Sequence, residues 1–125
     1  MPVTRVVLFR DAAGRVPLLE WLDKLPKKAR AKCLARIERL AELGHELRRP
    51  EADFLRDGIY ELRVGLAGIH YRMLYFFHGR AAVVISHGLT KRRTVPPKEI
   101  DLAVKRKEAF NRNPAKHTHE DVIHE

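Results

Sequence analysis

Basic side chains lie within or at the end of each apolar run in the segment 59–93. Arg63 follows the apolar part of the first run, Arg72 lies inside the second, and His87 ends the third. The third run then leads into three consecutive cations at 91–93. Because an unpaired buried charge is costly, cations set within a sheet are expected to face a cleft or a polyanion. The pattern therefore predicts a basic surface that binds nucleic acid.

The chemistry open to these residues is phosphate binding and proton transfer. A guanidinium such as that of Arg72 donates to two phosphate oxygens in a fixed geometry, and Lys91–Arg93 offer further positive charge. His87 has an ordinary pKa near neutrality, so its imidazole could accept or donate a proton. Other roles stay open. Arg63 could simply pair with Glu61 or with an acidic residue of the loop Glu51–Asp57, and His87 could cap its strand or face solvent.

Most of the net charge of +9 comes from one part of the chain. Between Arg63 and Lys107 ten basic residues face two acidic ones, which leaves this stretch with a formal charge of +8. Such a field attracts phosphate backbones or an acidic protein, although a merely soluble basic surface would have the same composition. The residues expected to bind the phosphates of a nucleic acid are Arg63, Arg92, Lys98, Lys105 and Arg106, although the last three could also be no more than a solvated helix face.

Length and composition restrict the class of protein. At 125 residues, of which 45% are hydrophobic, the chain has the size of one domain with its own core. No apolar run approaches the length of about twenty residues that a membrane span needs, and no secretory signal is expected. The lone Cys33 excludes an internal disulfide and favours the reducing cytoplasm. His117, His119 and His124 match no closed zinc motif, so neither a metal site nor a cofactor is predicted.

Hydrophobic periodicity predicts a single α+β domain over residues 1–112 and a mobile tail over 113–125. A helical hairpin is expected to pack on a small antiparallel sheet, with the element order β-α-α-β-β-β-α. Residues 46–58 are expected to form a connection. The predicted strands are Val3–Phe9, Ile59–Val64, Ile69–Phe77 and Ala82–His87, and the predicted helices begin near Pro17, Lys27 and Pro97.

Alternation along the second strand of the meander predicts which of its residues are core. Tyr71, Met73 and Tyr75 alternate with Arg72 and Leu74, and the tyrosines are expected to pack inside rather than to stack on bases. Arg72 is then expected on the opposite face, in a partly enclosed concave surface. Its replacement by alanine should leave the fold nearly intact.

Three short motifs and the element order resemble the RelE/ParE toxin superfamily, most closely the HigB-like, phage-associated toxins of type II toxin–antitoxin modules. The motifs are Tyr60-Glu61-Leu62-Arg63, Tyr71-Arg72-x-x-Tyr75 and His87-Gly88-Leu89-x-Lys91-Arg92. The resemblance extends from about Val3 to Phe110. It implies a RelE-like fold and neutralisation by a cognate antitoxin, expected to be of the helix-turn-helix type.

The resemblance also implies a function, which is the metal-independent cleavage of messenger RNA on the ribosome. Arg72 matches the strand arginine that RNA-cleaving members use at the scissile phosphate. Lys91, Arg92 and Arg93 match the basic cluster that supplies a second cation, so Lys91 and Arg93 join Arg72 as catalytic candidates. Lysines that RelE carries on the preceding strand, one of them a base, are absent, and His87 is the best substitute by chemistry.

Two other functions stay open at this point. ParE-like members of the superfamily inhibit DNA gyrase and need no catalytic site. A degenerate relative would only bind an antitoxin or its operator complex. The clustered cations favour the nuclease, because gyrase inhibition does not require a phosphate site.

Overall fold

The computed structural model describes residues 4–90 and 93–120. Within these residues three α-helices and a six-stranded, mostly antiparallel sheet form an α+β fold that is consistent with a RelE-like fold. The predicted fold class and the helical hairpin are thereby confirmed. The elements are β1 Arg5–Phe9, α1 Pro17–Asp23, α2 Lys27–Leu43, β2 Ala52–Arg56, β3 Ile59–Leu66, β4 Ile69–His78, β5 Ala82–Thr90, α3 Pro97–Arg112 and β6 Thr118–His119.

The strands are arranged in the order β2-β3-β4-β5-β1-β6. β1 runs parallel to β5, and every other neighbouring pair is antiparallel. The edge strand β2 is a correction, because residues 46–58 were expected to form only a connection. Its side chains are mostly polar or exposed, so the sequence shows no clear hydrophobic alternation there.

Both faces of the sheet are covered by helices. α1 and α2 cover one face, where Leu62, Met73 and Tyr75 are buried in the larger core. α3 covers the other face and packs against a second core that includes Leu74 and Phe76. The face predicted to be a partly enclosed concave surface is therefore largely interior. None of the helices in the described residues is long and apolar enough to cross a membrane.

The segment after α3 is packed against the sheet, where a mobile tail was expected. β6 pairs with β1, which aligns Leu8 with His119 and Phe9 with Thr118. The buried His117 stacks on the Phe9 ring with centroids 4.9 Å apart, and its Nδ1 lies 2.7 Å from the Arg10 carbonyl oxygen. These contacts are long-range, so composition alone could not indicate them. Residues 121–125 lie outside the described part of the chain.

Gly88 on β5 lies directly against the Trp21 indole ring, and a Cβ atom there would clash with the ring carbons. The Trp21 Nε1 donates to the Thr90 hydroxyl at 2.8 Å, which fixes the indole in place. We expect Gly88→Ala to lower the free energy of unfolding by about 1–3 kcal/mol, as overpacking does. Gly65→Ala is the matched control, because a Cβ on this strand glycine meets nothing within 4 Å. Thermal melting of both variants tests this, and equal melting temperatures would contradict it.

Candidate nucleic-acid interface

Three charged or titratable side chains lie on the sheet face that α3 covers. Two of them, Arg72 and His87, were predicted from the sequence as site residues, and the third is Glu61. Glu61 on β3 aligns with Leu74 on β4, and Leu74 aligns in turn with His87 on β5. Arg72 lies two residues before Leu74, so strand alternation directs it to the same face. All three side chains are buried. The sheet thus brings Arg72 and His87 onto one face, as their predicted common role requires.

Arg72 forms a buried ion pair with Glu61. The relative exposures of the two side chains are only 6% and 5%, and Arg72 Nη1 donates to Glu61 Oε1. Arg72 Nη2 donates to the Arg93 carbonyl oxygen. Arg72 was expected in a partly enclosed concave surface opposite the core, but it is buried, because α3 and the chain that leads into it cover this face. The same carboxylate lies 3.7 Å from Arg63 Nε, so the Arg63–Glu61 pair considered from the sequence is present.

A one-residue bulge in β5 sets the geometry around His87. Tyr75 aligns with Ile85 and Leu74 with His87, which leaves Ser86 as the extra residue. Bulges reorient side chains in this way and are frequent near functional sites. Ser86 Oγ lies 2.7 Å from His87 Nδ1, and His87 Nε2 lies 2.9 Å from the Glu99 carboxylate on α3.

The hydrogen bonds of His87 assign its tautomer. An ionised carboxylate can only accept, so the bond to Glu99 requires a proton on Nε2. In the neutral ring Nδ1 then accepts from the Ser86 hydroxyl. Burial lowers the pKa of His87, and the positive charge of Arg106 lowers it further. The hydrogen bond to Glu99 raises it and offsets part of this shift. His87 is therefore neutral at pH 7, with its basic nitrogen directed at Ser86.

Arg106 points inward, although it was expected to lie on the outer surface and to bind phosphate. Its Nη1 donates to Ser86 Oγ at 3.3 Å, and its guanidinium carbon lies 5.4 Å from the centroid of the Phe9 ring. Burial lowers the pKa of the guanidinium, and Asp11 and Glu99 oppose that shift. The inward orientation follows from its place on α3, where it faces the sheet beside Ala103 and Phe110.

The remaining predicted cations surround this buried network. Arg93, Lys98 and Lys105 are exposed. Arg63 is half-buried and lines a cavity of about 310 Å³ together with Arg72. Lys91 and Arg92, predicted as a catalytic and an RNA-binding residue, lie outside the described residues. The structure therefore presents a buried core of Arg72 and His87 with exposed positive charge beside it.

The sequence profile of the family described as phage-derived protein Gp49-like (DUF891) matches residues 20–108. The chain belongs to the Gp49-like family. This is a RelE-like toxin family of toxin–antitoxin systems, and membership suggests an antitoxin as partner. The matched residues include the whole network from Glu61 to Arg106, whereas β1 and β6 lie outside them. No curated protein is significantly similar to the chain.

Sequence reasoning missed two members of the network in this Gp49-like chain. Ser86 looked like an ordinary strand residue, because a single-residue bulge does not alter composition. Glu99 was counted only as one of two acids opposing the positive charge. Its position three residues after Pro96 places it in the first turn of α3. The predicted start of this helix was the feature of the sequence that could have singled out Glu99. The described residues contain no cluster of metal-binding side chains.

The lowered pKa of His87 predicts how stability of this Gp49-like domain depends on pH. Below its ordinary pKa of 6.5 the unfolded chain binds a proton that the folded chain resists. The contribution of neutral His87 is thus complete above pH 6.5 and is lost as the pH falls below that value. We expect the melting temperature to drop as the pH falls below 6.5, and less so in His87→Gln. The same change of melting temperature with pH in the wild-type protein and in His87→Gln would contradict this.

Proposed function

We propose that this chain is the toxin of a type II toxin–antitoxin module, of the HigB-like kind, and that it cleaves messenger RNA on the ribosome. The observation that carries the proposal is the convergence of Arg72 and His87 on one sheet face, together with the half-buried Arg63 and the exposed cations Arg93 and Lys98. Family membership supports the toxin class, and the site chemistry supports the nuclease within that class.

The buried network supports function because it is a poor means of stabilising a fold. Well-packed apolar residues of similar volume are usually as stabilising as a buried ion pair such as Arg72–Glu61. A histidine with a shifted pKa beside such a pair is a common feature of active sites. We therefore infer that these polar residues occupy the interior because they contribute to chemistry.

The reaction needs proton transfer and charge stabilisation. The RNA 2′ oxygen attacks the adjacent phosphorus, a base accepts the 2′ proton, and the 5′ oxygen leaves with a proton, which yields a 2′,3′-cyclic phosphate. We assign the stabilisation of the phosphorane charge to Arg72 and a cation from Lys91–Arg93. This requires the hydrogen bond from Arg72 Nη2 to the Arg93 carbonyl oxygen to open when RNA binds. We assign acceptance of the 2′ proton to His87, whose basic Nδ1 must exchange its hydrogen bond with the Ser86 hydroxyl for one with the RNA 2′ hydroxyl when RNA binds.

The proposal is tested by primer extension on an RNA in a reconstituted translation reaction, with and without ribosomes. We expect strong cleavage of translated RNA and weak cleavage of naked RNA, because the cationic surface alone holds a substrate loosely. In cells, induced expression should arrest growth, and a helix-turn-helix antitoxin from the adjacent reading frame should restore it. Equal cutting without ribosomes would refute ribosome dependence. An absence of cutting together with inhibition of gyrase supercoiling would favour the ParE-like rival.

A further inference from the structure

The cavity that Arg63 and Arg72 line opens where the edge strand β2 stops covering β3. The pairing of the two strands ends with Ala52 opposite Leu62, so β3 continues past its neighbour. Gly65 lies on this uncovered part, and a Cβ atom there would meet nothing within 4 Å. A strand glycine with open space beside it is a place where another molecule's backbone can approach closely. The cavity of about 310 Å³ is at the lower end of the range for small-molecule sites.

Positive charge predominates in the lining of this cavity. Three arginines line it, Arg36 on α2, Arg63 on β3 and Arg72 on β4, and Glu51 is its acidic residue. The Glu51 carboxylate is bound by two donors of Arg39, at 2.9 and 3.1 Å, and that hydrogen bonding lowers its pKa. It also lies 3.5 Å from Arg36 Nε, so it is shared between two arginines. It therefore neutralises only part of the positive charge in the cavity.

The guanidinium of Arg63 is the group best placed to bind an anion. Its side chain is 38% exposed, and its ion pair with Glu61 is long at 3.7 Å, while Arg72 binds the same carboxylate closely. Arg36 Nη1 donates to the Arg63 carbonyl oxygen, which holds the two residues together. The exposed His70 stands at the rim and adds an aromatic surface and a polar nitrogen. This combination suits a phosphate with an attached planar base.

A row of cations on α2 leads into the cavity. Lys28, Lys32 and Arg36 are spaced at i, i+4 and i+8, so they lie on one side of the helix about 6 Å apart along its axis. Both lysines are exposed. Such a row offers contacts to successive phosphates of a single strand, because single-strand binding sites combine a basic track with aromatic surfaces.

We propose that the cavity binds one phosphate-bearing nucleotide of a single-stranded RNA, with Arg63 and Arg36 on the phosphate, and that Lys28 and Lys32 hold the phosphates that follow. The inference rests on the proposed nuclease function for the identity of the strand as substrate RNA. Phosphate binding in the cavity is independent of that function.

The first experiment titrates the intact protein with a nucleoside 3′-monophosphate and with inorganic phosphate and follows amide resonances. Signals from Arg63, Gly65 and His70 are expected to shift with the nucleotide at lower concentration than with phosphate alone, because the base adds contacts at His70. Equal responses would mean that the cavity recognises free phosphate only. Shifts elsewhere, or none, would overturn the inference without any variant being made.

The second experiment measures binding of a short fluorescent RNA by anisotropy. Arg63→Gln and Arg36→Gln are each expected to weaken binding about tenfold, the loss typical of a charge-assisted hydrogen bond. Lys32→Gln should reduce the salt slope by about 0.7, corresponding to one phosphate. The matched control is Arg80→Gln, which removes one charge from the exposed β4–β5 turn far from the cavity. Equal losses in all variants would mean that only net charge matters and would overturn the site.

The outcomes for the cavity and for the nuclease can be distinguished. If the nucleotide binds in the cavity and the protein never cleaves RNA, the nuclease proposal fails and the cavity inference stands. If Arg63→Gln and Arg36→Gln cleave translated RNA at the wild-type rate and the nucleotide does not bind, the cavity inference fails and the nuclease proposal stands. Melting curves of each variant identify losses that come from unfolding.

Discussion

Replacing Arg72 by alanine is expected to lower the free energy of unfolding by about 3–5 kcal/mol, because it leaves the buried Glu61 carboxylate without its closest partner. This reverses the expectation from sequence that Arg72→Ala would leave the fold nearly intact, which followed from placing Arg72 in a partly enclosed surface opposite the core. Arg63 also lies near Glu61, but its Nε is 3.7 Å away and its side chain is partly exposed, so it cannot replace a buried donor. Chemical denaturation of the variant measures the loss.

A double variant separates the stability of the fold from the function of the pair. Glu61→Leu combined with Arg72→Met removes both charges and leaves apolar side chains of similar size. Such replacements of buried ion pairs are usually neutral or stabilising, so the double variant should recover most of the stability that Arg72→Ala loses. If the double variant is as unstable as the single one, the ion pair itself stabilises this fold. The argument that it is present for function would then be lost.

His87→Gln is expected to lower the cleavage rate by about 10²–10⁴-fold, the contribution typical of a general acid or base. Glutamine keeps a donor for Glu99 but cannot exchange a proton at neutral pH. Because burial lowers the pKa of His87, the rate of the wild-type protein should decline only below pH 6.5. Single-turnover cleavage of translated RNA as a function of pH measures both effects.

The matched control for this variant is His78→Gln, which removes a histidine that lies at the end of β4 and contacts Asn111. It should cleave like the wild-type protein. If His87→Gln is folded and cleaves at the wild-type rate, His87 takes no part in proton transfer. Its hydrogen bonds to Ser86 and Glu99 would then serve only to fasten α3 to the sheet.

Local patterns allowed much of the fold to be predicted. α2 was expected from Lys27 to about Leu43 and spans those residues, because its apolar positions repeat at helical spacing and Gly44 follows. Gly44 has a φ of 51°, a backbone conformation that favours glycine at a helix end. The three strands of the meander were expected within a few residues of their observed bounds, since each is a run of β-forming residues between turns.

The covering of the second sheet face could not be read from local patterns. The apolar side of α3 was evident, but the sheet face that it covers depends on long-range packing. One signal was present in β4, where Leu74 and Phe76 make the run apolar on both faces, as in strands buried on both sides. Arg72 shares that second face, and this is why its burial and its pairing with Glu61 were missed.

The sequence indicated which residues belong to the candidate site better than it indicated how they are arranged. Arg72 and His87 were identified because basic residues inside apolar runs are unusual. The bulge at Ser86 and the contact with Glu99 depend on strand register and helix docking, which composition does not encode. Arg106 was expected outside for the same reason, since its position on α3 has meaning only once the docking of that helix is known.

The measurement that tests the central claim most directly is primer-extension mapping of translated messenger RNA with the wild-type protein and the folded Glu61→Leu/Arg72→Met variant. The wild-type protein is expected to cleave, and the variant, matched in stability, should cleave about 10²–10³-fold more slowly, because a preorganised cation at the phosphate is lost. Cleavage at the wild-type rate by the folded variant would contradict the assignment of Arg72. An absence of cleavage by the wild-type protein on translating ribosomes would contradict the nuclease function itself.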